Sequence, residues 1–159
     1  MNEILGNIYC WFETLYAQNL ADYLWGYDCA TGQFTNANPY NTIGFYTIGI
    51  SLLISLTYYI FVDHPKLSKW WVWLGVLLIN STINLLLGHW ITASKLLNGD
   101  IPQCLMYQVD SNGKIVSQLI YTSDCWGFGL SNFFVSAMFF VAFSFIVKWK
   151  SVACKYSPI

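Results

Sequence analysis

The residues able to do chemistry are few in this chain and far apart. His64 and His89 are its only histidines, and the five cysteines fall at 10, 29, 104, 125 and 154. No pair of them makes a CxxC, the spacing of a thiol redox centre. No His, Cys or carboxylate cluster has metal-ligand spacing, so neither a metal nor a cofactor is expected. The nucleophile elbow, the HExxH zinc motif and the phosphate-cradling glycine motifs are absent. Asp63-His64-Pro65 resembles a site. A blander account is a helix stop, with Pro65 ending the helix and the charged pair meeting headgroups. Asn80-Ser81-Thr82 matches a glycosylation sequon, but it lies inside an apolar stretch where a glycosyltransferase does not reach.

Another set of polar residues has helical spacing. Gly44, Thr47, Ser51 and Ser55 recur along one face. Asn80 and Asn84 are four apart, and Thr82 and His89 are seven apart on another face. Gly129, Asn132 and Ser136 form a third stripe. Small residues let helices approach closely, and amides and hydroxyls hydrogen-bond across the interface. The same groups can instead line a water path. In either use they must look away from lipid, because an unpaired amide in hydrocarbon is costly.

The elements that position these groups follow from composition. The chain has 159 residues, 56% hydrophobic, 19% aromatic and 9% charged, with a formal net charge of −1. A soluble domain carries about 25% charged residues. Disorder is excluded by the hydrophobicity. Nucleic-acid binding is excluded because no positive surplus exists to meet phosphates. An all-α integral membrane protein, a single domain over residues 1–159, is what remains. Three stretches, 41–62, 70–94 and 125–147, contain no Lys, Asp or Glu and are long enough to cross a hydrocarbon core of about 30 Å. Trp and Tyr gather at their ends, as amphipathic rings do at headgroup level. Residues 4–25 read as an amphipathic helix with Leu5, Ile8, Tyr9, Phe12, Leu15, Tyr16, Leu20 and Tyr23 on its apolar face. Glu13 and Asp22 favour a helix lying in the interface, with a fourth span as the alternative. The segment lacks the basic start and smooth apolar run of a signal peptide.

Lysine placement orients the chain. Lys66, Lys69, Lys148, Lys150 and Lys155 fall on one side of three spans, and Lys95 and Lys114 on the other. The C-terminus is therefore expected in the cytoplasm, and a bacterial inner membrane fits. The long loop, 95–124, then faces outward. Within it, 105–109 and 114–121 are β-prone runs around Asn112-Gly113, a hairpin turn signal. Cys104 and Cys125 flank this hairpin and are the preferred disulfide if this face is oxidising, with Cys29 as competitor; the alternative is that all five cysteines are reduced.

Three functions compete. The first is a homo-oligomeric channel or membrane-permeabilising protein. It is motivated by polar faces on all three spans, which exceed what one anchor needs. A ring of subunits would be required, because three or four helices enclose no lumen. Its amide and hydroxyl lining predicts weak ion selectivity. The second is a non-catalytic anchor or structural subunit that recruits a partner protein at the hairpin loop. The third is a lipid-modifying enzyme using Glu13, Asp63, His64 or His89, which requires groups distant in sequence to converge.

Overall fold

The computed structural model describes residues 4–61, 69–110 and 113–148. Asp63, His64, Pro65, Lys66, Asn112, Lys150, Cys154 and Lys155 lie outside them. Helix α1 spans Ile4–Cys10, a 3₁₀ turn spans Glu13–Leu15, and α2 spans Gln18–Trp25. Strands β1 (Tyr27–Asp28) and β2 (Gln33–Phe34) follow, then α3 (Pro39–Leu56), which continues into a π turn, Thr57–Phe61. After α4 (Trp70–Leu97) come a single turn α5 (Gln103–Met106), strands β3 (Tyr107–Val109) and β4 (Ile115–Gln118), and α6 (Thr122–Lys148).

Helices α3, with its π turn, α4 and α6 are long and apolar enough to cross a membrane. They coincide with the three expected spans. Only 28–39% of their most apolar windows is buried within the chain. Their outer surface carries Phe45, Leu53, Trp71, Leu86 and Ile146, all exposed. Apolar surface on that scale demands a partner other than water. The chain has the architecture of a multi-pass membrane protein. Pro39 starts α3 at a position where its missing N–H is no loss. At α6 the Asp124 carboxylate accepts the Tyr121 N–H at 2.7 Å, half of a capping box.

Helix α6 is the centre of the bundle, packed on α4 and, less extensively, on α3. Glycine permits the close approach: a Cβ on Gly129 would stand 2.9 Å from the Leu85 carbonyl of α4. The core is layered. One end holds an apolar cluster with Tyr9, Tyr16, Leu24, Tyr40, Ile43 and Phe128. The other holds Tyr58, Tyr59, Trp73, Phe140 and Val147. Between them lies a belt of buried polar residues, Thr47, Ser51, Asn80, Asn84, Asn132 and Ser136, all fully buried.

Residues 4–25 do not form the single amphipathic helix expected. The segment enters the bundle and returns. Leu5 packs on Gly44 of α3, the Tyr9 hydroxyl reaches Asn132, and Phe12 stacks on Phe134 with centroids 5.5 Å apart. After the 3₁₀ turn the Leu15 carbonyl passes over Gly127, where a Cβ would strike it, and Trp25 closes back over Gly6. Phe134 lies twelve residues into α6, about 18 Å, so the segment reaches well into the bundle before it turns back. Its turns close their own hydrogen bonds, including Phe12 N–H to Tyr9 O at 2.9 Å and Leu15 N–H to Phe12 O at 3.0 Å. Backbone at such depth requires this. The break turns α2 so that Ala21 and Leu24 are buried, while Leu15 is exposed. Burial of both Tyr9 and Tyr16 against α3 and α6 outweighs the continuity of one weak helix. Glu13 therefore opens a largely exposed 3₁₀ turn between α1 and α2 instead of sitting within one continuous helix.

The expected hairpin is present. Strands β3 and β4 are antiparallel, Tyr107 opposite Gln118 and Val109 opposite Ile115, with a bulge between. The strands are shorter than the β-prone runs, because Leu105 belongs to α5 and Tyr121 to the start of α6.

Candidate functional site

Two regions concentrate the polar residues singled out by spacing. The first is the belt. Asn132 of α6 is its hub: its Oδ1 accepts from the Tyr9 hydroxyl at 2.6 Å and from Thr47 Oγ1 at 2.8 Å, and its Nδ2 donates to the Asn84 carbonyl at 2.6 Å. Asn80 Nδ2 donates to Ser51 Oγ at 3.2 Å and to the Ser136 carbonyl at 3.3 Å. Asn84 Nδ2 donates back to the Asn80 carbonyl at 2.9 Å. One chain thus ties α1, α3, α4 and α6 together at mid-height. Asn84 Oδ1, Ser55 Oγ and Ser81 Oγ are buried without a partner. Buried polar atoms of this kind call for internal water where space allows.

Not every singled-out residue joins this belt. Thr82 is exposed, and its hydroxyl bonds back to the Leu78 carbonyl at 2.8 Å, the ordinary arrangement of a helix threonine. Its neighbour Ser81 is the buried one. His89 sits two turns from Thr82 and stacks on Trp126, centroids 3.9 Å apart. Tyr9 was assigned to an apolar face by spacing, and nothing local marks its hydroxyl as the partner of an amide 123 positions away. The Trp73 indole, donating to Ser144 Oγ at 3.3 Å, was hidden in the same way among belt aromatics. Glu13 and His89, the two titratable residues of the enzymatic reading among those described, belong to separate elements. No group of three or more His, Cys, Asp or Glu able to hold a metal occurs among the described residues.

The second region is the cap over one end of the bundle. Gly26 ends α2 in the left-handed conformation, φ 84°. A Cβ there would collide with the Asn36 carbonyl, so only glycine lets the chain turn into β1. The Asp28 carboxylate takes the Ala30 N–H and the Thr31 hydroxyl, each at 3.0 Å. Those bonds hold Asp28 below its ordinary carboxylate pKa. This turn carries Cys29 to Cys104, and the two form a disulfide across 75 residues. The expected Cys104–Cys125 pair is not formed. Helix α6 begins at Thr122, three residues earlier than its hydropathy suggested, and draws Cys125 inward to full burial. Cys104, on the short α5, is exposed.

The bridge joins the β1–β2 turn to the base of the β3–β4 hairpin. On this stapled cap Phe34, Val109, Ile115, Val116 and Tyr121 are exposed. The unshared strand edges of a two-stranded sheet are exposed with them, a template for pairing with another chain. Compared with known proteins, the chain matches no family model, no curated protein and no solved structure.

Proposed function

We propose that this protein is a non-catalytic membrane anchor that presents its disulfide-stapled cap to a partner protein outside the cytoplasm. The observation that carries this reading is the pairing of the polar belt inside one chain. Helix faces that would line a channel between subunits are occupied by Asn132, Asn80 and their partners. The unspent binding surface is the cap, with exposed Phe34, Val109, Ile115 and Val116. Two independent features support the orientation. An exposed disulfide persists in an oxidising compartment, and five of the seven lysines fall in sequence between the first and second spans or at and after the end of the third, as the positive-inside rule requires of a cytoplasmic side. The cap would then face the periplasm of a bacterial inner membrane, with the C-terminus in the cytoplasm.

The test is photo-crosslinking in cells from a benzophenone amino acid placed at Val109, Ile115 or Val116, with Leu86 on the lipid-facing side of α4 as the control. A discrete protein adduct from the hairpin positions, abolished by Ile115→Asp at equal expression, is expected. No adduct from any cap position would overturn the reading. The same purified protein in liposomes is expected to pass no more ions than empty liposomes. Flux above that level would restore a channel.

A further inference from the structure

At the end of the bundle opposite the cap, a groove of ≈ 280 Å³ runs between the last turns of α3 with its π turn and the first turns of α4, lined by Leu53, Ile54, Thr57, Tyr58, Val72 and Val76. The walls are almost wholly apolar. The Thr57 hydroxyl is tied to the Leu53 carbonyl at 2.8 Å, so it has no proton left for a ligand. A π turn widens the helix and often marks a functional place. Whatever fills this groove is an apolar chain, and selectivity must come from the groove's mouth.

A lysine precedes the α4 wall of the groove. Lys69 is the N-cap of α4; it is exposed, and its carbonyl accepts the Val72 and Trp73 N–H groups. It stands in the chain one turn before Val72, which lines the groove. Trp70, next in sequence, is exposed and meets Trp71 edge to face, a residue type that favours the headgroup layer. Lys148 ends α6 at the same end of the bundle, next to Val147 of the shared apolar cluster. Basic residues at a membrane surface attract anionic headgroups.

We propose that this groove binds one anionic phospholipid, an acyl chain between α3 and α4 and the phosphate at Lys69. The site is independent of the cap and of the docking reading. It is tested by native mass spectrometry of the full chain released from lipid discs of equal parts phosphatidylglycerol and phosphatidylcholine. One retained phosphatidylglycerol is expected, favoured over phosphatidylcholine about fivefold, the effect of one lysine near a charged surface. Lys69→Gln should bring the ratio to about one, whereas Lys114→Gln on the distant hairpin should leave it unchanged. Val76→Trp, which fills the groove, should remove the retained lipid of either kind. Formation of the Cys29–Cys104 bridge reports that each variant has folded, and Leu53→Trp replaces Val76→Trp if that variant fails to form it. Equal retention of the two lipids by the unaltered chain, a ratio unaffected by Lys69→Gln, or a lipid retained in the folded groove-filled variant would each overturn the proposal.

Discussion

Asn132 and Thr82 are both polar residues inside apolar helices, and their surroundings make opposite predictions. Asn132 is fully buried and makes three side-chain hydrogen bonds to three other elements. Interhelical bonds in membrane proteins average about 0.6 kcal/mol each. Asn132→Ala should therefore cost about 2 kcal/mol. Thr82→Val removes one bond to its own helix on an exposed face and should cost less than about 0.5 kcal/mol. Reversible unfolding in mixed detergent micelles measures both. Equal losses would mean that the belt does not hold the bundle. Position along the helix was enough to pick out Thr47, Ser51, Asn80, Asn84, Asn132 and Ser136, because in lipid a buried amide has nowhere to go but inward. It was not enough to separate Ser81 from Thr82. Periodicity fixes the angle between residues on one helix, not which of those angles meets a neighbour.

The cysteines distinguish the possible arrangements of elements. In protein taken from an oxidising compartment and denatured without reductant, a maleimide polymer should modify three of the five cysteines, and all five after reduction. Cys125→Ser should lower the unreduced count to two and leave the bridge intact. An unreduced count that rises to four in Cys125→Ser would place the bridge on Cys125 instead. The three spans and the hairpin were legible because their signals are local: length, apolarity, and an Asn-Gly turn between β-prone runs. The disulfide was not, because it depends on where α6 begins and on which way two loops fold over the bundle. The N-terminal segment was misread as one helix for the same reason. Its amphipathic pattern was real, but its two aromatic anchors are buried against α3 and α6 from opposite sides of a turn.

For the whole molecule, the layered core makes a single chain self-sufficient. Two apolar clusters enclose a polar belt whose amide protons are used within the chain. Native mass spectrometry from native-membrane discs is expected to give one copy of the chain. A particle of three or more copies would return the ring, with its contacts made by faces other than the belt, and the channel with it only if the liposomes also passed ions.

The sequence by itself determined where the three helices long and apolar enough to cross a membrane lie and which residues form polar stripes. These follow from the cost of an unpaired backbone in lipid, which leaves each span to satisfy its own hydrogen bonds. Tertiary structure alone decided that the N-terminal segment folds into the bundle, that Tyr9 completes the belt, that Cys29 meets Cys104, and that α3 and α4 leave an apolar groove between them. Each of these joins residues far apart in the chain, and their meeting is set by the packing of whole helices rather than by any residue's neighbours in sequence.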